Sequence, residues 1–359
     1  MKNYKVGIIG ATGMVGQRFA TILENHPWFT VVAIAASGRN KGKTYAEAVE
    51  GRWKMAAPIP ESMKDMILYD AQADAEEFAS KVDFTFCAVD MKKPEIRALE
   101  EKYAKLECPV ISNNSAHRFT EDVPMIIPEV NPEHAEIIPA QRKRLGTKRG
   151  FIAVKSNCSI QSYVPALSAL RDFGIEKIAV CTYQAISGAG KTFETWPEMI
   201  DNVIPYIGGE EEKSEQEPMK VWGKVEGDKI VSATEPTISA QCLRVPVSDG
   251  HTAAAFVKFK NKPTKEEMIA RWKAYKGRAQ ELNLPSAPKQ FLNYFEEDNR
   301  PQAKLDRNLE GGMAVSIGRL RDDSIFDYRF VSLSHNTLRG AAGGAVEMAE
   351  LLCAEGYID

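Results

Sequence analysis

Lys155-Ser156-Asn157-Cys158-Ser159-Ile160 places a thiol between an apolar run, Phe151 to Val154, and a helical stretch reaching Arg171. A cysteine at a strand-to-helix junction meets the positive end of the helix dipole, which predicts a lowered pKa and a nucleophilic thiolate. A lone cysteine is otherwise a small core residue, and Cys87, Cys108, Cys181, Cys242 and Cys353, inside apolar runs or on helix faces, read that way. A second reactive group lies further on. His251 follows the turn signal Ser248-Asp249-Gly250. If Asp249-Gly250 forms a hairpin loop, Ser248 pairs with His251, and Arg244 shares their face, so an imidazole and a guanidinium could line one pocket. His26, His117, His134 and His335 have no such partner and read as core or surface residues.

The chain also carries a candidate anion cradle. Tyr4 to Ile9 runs into Gly10-Ala11-Thr12-Gly13-Met14-Val15-Gly16, a G-x-x-G-x-x-G loop that should open a helix through Leu23. Glycines there let the backbone turn sharply and approach a pyrophosphate at the helix N-terminus. Glycines also occur where a strand packs tightly on a helix, but the position directly after a first strand and before a second favours a dinucleotide. An NAD site usually places an acid at the end of that second strand, and from Val31 to Lys43 there is none. The segment reads Ser37-Gly38-Arg39-Asn40-Lys41-Gly42-Lys43 instead. A hydroxyl, a guanidinium and two ammonium groups suit a 2′-phosphate, so NADP is predicted over NAD; an ordinary solvated loop is the other reading.

These residues need a scaffold, and 359 residues favour two domains over one. Tyr4 to Ile9, Phe29 to Ala36, Val82 to Ala88, Val110 to Ser112 and Met125 to Val130 alternate with helical stretches, which predicts a parallel sheet covered by helices. Beyond the polar stretch Gln141 to Arg149, the runs Lys177 to Ile186, Ile238 to Val247, Thr252 to Phe259, Met313 to Arg319 and Phe326 to Leu333 alternate as in an antiparallel or mixed sheet. Thr264 to Glu267 has the form of a capping box opening a helix to about Leu282. A small-residue helix, Thr337 to Leu352, follows near the end.

Composition excludes several classes of function. With 44% hydrophobic and 26% charged residues the chain is globular rather than disordered. Its 46 basic and 49 acidic residues are interspersed, which argues against nucleic acid as a partner. No apolar stretch approaches the ~18 residues of a membrane span. Lys2 and Lys5 precede an apolar run that Gly10 to Gly16 breaks, and no signal cleavage site follows. Six scattered cysteines, without a C-x-x-C pair or metal-ligand spacing, fit a soluble protein in a reducing cytoplasm with no metal site.

Asn157-Cys158-Ser159, together with Gly10 to Gly16, resembles the aspartate-β-semialdehyde dehydrogenase family, and further matches span nearly the whole chain. Thr182 to Gly190 resembles the strand and glycine-rich turn that line the site behind the cysteine. Cys242 to Val247 and His251 resemble its substrate arginine and acid-base histidine. Asn336 to Gly343 is similar to the segment that returns to the nicotinamide. The resemblance implies a Rossmann-type doubly wound parallel sheet plus a second α/β domain with a mixed or antiparallel sheet, as in glyceraldehyde-3-phosphate dehydrogenase. Residues 1–156 and 336–359 would bind NADP, and 157–335 would carry catalysis and the contacts of a homodimer or homotetramer.

The implied activity is the reversible NADP-dependent reductive dephosphorylation of L-4-aspartyl phosphate to L-aspartate 4-semialdehyde and phosphate, in lysine, threonine, methionine and isoleucine biosynthesis. Read oxidatively, the Cys158 thiolate, beside Asn157, adds to the aldehyde, His251 takes the hydroxyl proton, hydride leaves and phosphate discharges the thioester. Gln184 would orient the intermediate, and Arg244 would clamp the α-carboxylate, where a structural salt bridge is its other use. Glu210 would hold the amine and Lys213 the phosphate, with Glu211 as the alternative if the register is off by one. Arg118, in Asn114-Ser115-Ala116-His117-Arg118, is the second phosphate candidate, or else an exposed loop arginine. Gly10, Thr12, Gly13, Met14, Val15, Gly16, Ser37 and Arg39 would hold the adenosine and pyrophosphate half, and Ser187, Gly188 and Asn336 the nicotinamide half.

The family's Pro-Asn-Cys-Ser-Thr departs here to Ser156 and Ile160, and Lys191 to Gly209 looks closer to the archaeal and fungal branch. Two other readings stay open. An N-acetyl-γ-glutamyl-phosphate reductase, or a related acyl-phosphate reductase, would use the same thiol but not a carboxylate for the amine. A non-catalytic NADP-binding sensor would need none of Cys158, His251, Arg244 and Gln184.

Overall fold

The computed structural model describes residues 3–359; Lys2 lies outside them. Six strands, β1 (Tyr4–Ile9), β2 (Phe29–Ala36), β3 (Leu68–Asp70), β4 (Phe84–Cys87), β5 (Val110–Ser112) and β6 (Ile152–Val154), form an all-parallel sheet. Their order, β3-β2-β1-β4-β5-β6, is doubly wound and reverses between β1 and β4, where such sheets bind ligands. Strands β4, β5 and β6 are buried throughout, as a sheet covered on both faces requires. The helix Gly343–Ala354 packs Ala345, Met348 and Leu352 into the same apolar cluster as Val6, Ile8 and Phe84.

The later strands are β7 (Ile175–Gln184), a small hairpin of β8 (Lys224–Glu226) and β9 (Lys229–Val231), then β10 (Thr237–Arg244), β11 (His251–Phe259), β12 (Leu292–Phe295), β13 (Val315–Asp322) and β14 (Tyr328–Ser334). Apart from the hairpin they form one sheet, β10-β7-β11-β14-β13-β12, with parallel pairs at both edges and antiparallel pairs between. This is the mixed sheet that the alternating runs predict. Burial alternates residue by residue along β11, so one face packs and the other stays open. A second apolar cluster runs from Tyr103 through Ile160 and Tyr163 to Trp272 and Phe330, joining the two sheets.

Five expectations need correction. Met125 to Val130 is not a strand: Met125 makes one bridge to Val154, and the Asn131 side chain then takes the N–H of Ile127 and the carbonyl of Met125. The helix after Cys158 is broken into Ile160–Ser162, Val164–Ser168 and Arg171–Phe173, because Pro165 has no N–H to continue the ladder. The helix opened by the Thr264 capping box ends at Ala274, after which Gly277 lies so close to the Glu129 backbone that a Cβ would come within 2.3 Å. The C-terminal helix starts with a wide turn, Leu338–Ala342, whose Arg339 is buried and paired with Glu129 and Glu347. Finally, Asp249-Gly250 closes no hairpin, because β7 lies between β10 and β11. Residues 245–248 follow the end of β7 instead, and the N–H of Ser187 bonds the Ser248 carbonyl.

Candidate active site

Lys155 continues β6 by donating its N–H to the Ser112 carbonyl, and the chain then turns on Asn157. Asn157 Oδ1 accepts from the N–H of Ser159 at 2.7 Å and from its hydroxyl at 2.8 Å, which presents Cys158 at the bend. Cys158 Sγ lies 3.4 Å from His251 Nε2. The other ring nitrogen, Nδ1, accepts the N–H of Ala185 at 3.0 Å. Nδ1 is therefore an acceptor, and the neutral ring carries its proton on Nε2, facing the sulfur.

The remaining side chains converge by long-range pairing. The Ile186–Ala189 turn after β7 brings Gly188 so close that a Cβ there would lie 2.9 Å from Arg244 Nη1 and 3.2 Å from His251 Nε2. Arg244 and His251 thus face one pocket, as predicted, but by strand insertion rather than a hairpin. Arg244 Nη1 donates to the Ala185 carbonyl at 2.7 Å. The helix Glu210–Val221 supplies Glu210, whose carboxylate accepts from both Asn157 Nδ2 (3.0 and 3.1 Å) and Gln184 Nε2 (3.2 Å) and pairs with Lys213 at 2.7 Å. Glu211 points elsewhere, to Gln241 and the N–H of Cys242. Arg118 is buried rather than an exposed loop residue, and donates to the carbonyls of Lys155 and Asn113 and to Glu217.

Electrostatics overturn one expectation. Burial and then the Glu210 charge push the Cys158 thiol above its ordinary pKa, against the pull of Lys155, Arg118 and Arg244. The broken helix supplies no long dipole to reverse this. Burial, with Arg244, His335 and Lys155 nearby, holds His251 well below the usual imidazole value. Thiol and imidazole therefore both rest neutral. For Glu210, burial pushes the carboxyl up, but Lys213, Gln184 and Asn157 more than offset it, and it stays below the ordinary carboxylate value.

Sequence reasoning passed over two residues. Lys155 is 1% exposed, donates Nζ to the Ser156 carbonyl at 2.9 Å, and is pushed by burial down to about 7. Glu217 is fully buried and bonds both Arg118 and the N–H of Asn157. The available signals were a lysine closing an apolar run and a glutamate seven residues after Glu210, on the same helix face.

The glycine loop lines a cleft of about 510 Å³ with Ser37, Gly38 and Arg39 on its wall. Gly10 has φ +87°, and a Cβ there would meet the Ala88 carbonyl at 2.2 Å, so only glycine fits. The helix Met14–Leu23 starts at Gly13 without a side-chain cap, leaving its first N–H groups open to an anion. Met14 and Val15 form its first turn, half-buried, and Gly16 packs on the Gly10 carbonyl. Lys41 also reaches Asp74, at 2.6 Å. An acid does reach this cleft, though from outside Val31 to Lys43: Asp70, ending β3, lies against Gly38 and caps Gln72 and Ala73. Towards the thiol, Asn336 donates to Ser187 Oγ at 2.8 Å and accepts the N–H of Gly250. Gly340 passes over the nucleophile, where a Cβ would lie 2.9 Å from Cys158 Cβ.

Two family models match the chain: the semialdehyde dehydrogenase NAD binding domain over residues 5–138 and the semialdehyde dehydrogenase dimerisation domain over residues 167–339. Aspartate-semialdehyde dehydrogenase of Aspergillus fumigatus is 41% identical over 99% of this chain and 98% of its own length. The Archaeoglobus fulgidus enzyme is 41% identical over 99% of each. Among solved structures, Candida albicans aspartate semialdehyde dehydrogenase with NADP matches at a TM-score of 0.90 and 37% identity, covering 99% of this chain and 100% of that one. Aspartate semialdehyde dehydrogenase II from Vibrio cholerae, complexed with ASA, matches at 0.75 and 25% identity, over 98% and 99%.

Proposed function

The chain belongs to the aspartate-semialdehyde dehydrogenase family, and we propose that it catalyses the reversible NADP-dependent conversion of L-4-aspartyl phosphate to L-aspartate 4-semialdehyde and phosphate through a thioester on Cys158. The observation that carries this reading is the contact of Cys158 Sγ with His251 Nε2 beside a buried, charged Glu210. A carboxylate kept ionised inside the protein suits a free α-ammonium group, which favours this substrate over an N-acetylated one. An intact thiol, imidazole and Arg244 argue against a non-catalytic sensor.

The cleft fits a phosphorylated dinucleotide: the Gly13 helix start for the pyrophosphate, Ser37 and Arg39 for a 2′-phosphate, and Ser187, Gly188 and Asn336 towards the nicotinamide. NADP bound there supplies the hydride chemistry. Arg244 takes the α-carboxylate, Glu210 the α-ammonium group and Gln184 orients the acyl group, while Arg118 and Lys213 take phosphate.

Once Cys158 has lost its proton to solvent, its sulfur adds to the aldehyde carbon, and the Nε2–H of His251 shifts its hydrogen bond from sulfur to the new alkoxide, which becomes the thioester carbonyl as the hydride leaves. The ring can take a hydroxyl proton at Nε2 only by moving its own to Nδ1, which displaces the Ala185 N–H; its donor role therefore comes first. A phosphate oxygen then attacks the thioester, the C–S bond breaks and the thiolate is regenerated.

The proposal extends to the organisation of the chain: NADP binding by 1–156 with 336–359, and catalysis and homo-oligomer contacts by 157–335, whose open sheet face carries the 40% exposed Tyr183. It also places the reaction in a cytoplasmic pathway to lysine, threonine, methionine and isoleucine. Among the described residues, no helix is long and apolar enough to cross a membrane. The test is an assay of aspartate semialdehyde with phosphate and each nucleotide. Phosphate-dependent NADPH formation is expected, lost in Cys158→Ala while NADP binding persists; wild-type turnover by that variant would overturn the proposal.

A further inference from the structure

Glu217 joins two parts of the pocket that come from distant segments. Its Oε1 accepts from Arg118 Nη1 at 2.9 Å and its Oε2 from the backbone N–H of Asn157 at 2.5 Å, the residue before the nucleophile. It stands two helical turns after Glu210, which holds the Asn157 side chain. One face of one helix therefore grips Asn157 by both backbone and side chain. Arg118 has five N–H donors, of which Nε goes to the Lys155 carbonyl, one Nη1 hydrogen to Glu217 and one Nη2 hydrogen to the Asn113 carbonyl. Two donors remain, one on each Nη, for oxygens of a phosphate, and the three bonds already made hold the guanidinium in place.

We infer that Glu217 is a positioning residue for phosphate transfer: a single carboxylate holds the Arg118 guanidinium in place relative to Asn157 and hence Cys158, so that a gripped phosphate meets the acyl group on sulfur in register. The inference rests on the reading of Arg118 as the phosphate residue and Cys158 as the nucleophile. An ion pair that only stabilised the fold would have no need of its second oxygen on the backbone of the residue just before the nucleophile.

Glu217→Gln tests it, because one amide oxygen can serve only one of the two donors while its NH2 group faces the other. Expected is a fall of at least about 10-fold in kcat/KM for phosphate, with a raised KM, the loss typical of one hydrogen bond to a charged group. NADP dissociation should not change. In an Arg118→Ala background the same change should cost less than about 3-fold, the non-additivity of residues acting as one unit. A merely structural residue would lower the amount of active enzyme, hence kcat alone, and leave the KM for phosphate in place. Unchanged phosphate kcat/KM, or fully additive losses, would overturn the inference. If Glu217→Gln does not fold, Glu217→Asp keeps the charge but is too short to reach both donors, and the same loss is expected. Wild-type enzyme without phosphate-dependent turnover would instead defeat the functional reading; wild-type dependence with an unaltered Glu217→Gln defeats only this inference.

Discussion

The cofactor cleft and the thiol pocket are built by different means. The cleft is shaped by backbone, with Gly10 at positive φ, an uncapped helix start at Gly13, and single side chains such as Ser37 and Arg39 added to its wall. The thiol pocket is walled by ionisable side chains that are themselves buried: Arg118, Lys155, Glu210, Glu217, Arg244 and His251. Arg118 is held by Glu217, Glu210 by Lys213, and Lys155 and Arg244 by the carbonyls of Ser156 and Ala185. Loss of a cleft side chain removes one contact. Loss of a pocket side chain leaves a partner's charge buried without compensation, which is the more costly case.

That contrast sets the expected sizes of substitution effects. His251→Ala removes the N–H that faces Cys158 Sγ and should lower kcat by about 10²–10³-fold, the range for a lost oxyanion donor, with NADP affinity unchanged. Steady-state kinetics with nucleotide titration decides; a loss below tenfold would put His251 on the same footing as a cleft residue. Arg39→Ala should weaken NADP by about 10-fold while sparing NAD, the worth of one charge-assisted contact. The ratio of kcat/KM for the two nucleotides measures this, and an equal fall for both would remove Arg39 from the 2′-phosphate.

The smallest effect is a displaced pH midpoint. Because burial raises the Cys158 thiol, its thiolate fraction, and so its rate of labelling by iodoacetamide, should climb with pH through a midpoint above that of free cysteine. Cys108, pushed up to about 12, should lag far behind. Peptide mass spectrometry resolves the two sites, and a Cys158 midpoint below that of free cysteine would restore the helix-dipole account.

The same contrast explains what the sequence disclosed. The cleft is local: strand, glycine loop, helix and second strand follow one another within residues 4–36, so motif and geometry are read together. Its third strand, β3, escaped because Leu68–Asp70 is only partly buried and ends in an acid, without the apolar run of the equally short β5, and with it went Asp70. In the pocket the residue types were legible and their route was not. No local turn signal reports that β7 inserts between β10 and β11, so the hairpin that would pair Ser248 with His251 and set Arg244 on their face does not form. The rise in the Cys158 pKa escaped for a related reason, since the junction is visible in sequence while burial and the interrupted helix are not. Glu217 and Lys155 look like surface residues until the fold encloses them.

The central claim is that Cys158 carries the acyl group between hydride and phosphate transfer. Wild-type enzyme mixed with aspartate semialdehyde and NADP, without phosphate, should form NADPH in a burst stoichiometric with enzyme, and intact and peptide mass spectrometry should find an aspartyl group on Cys158 that added phosphate releases. An acyl group on another residue, or a burst with Cys158 unmodified, would contradict the account.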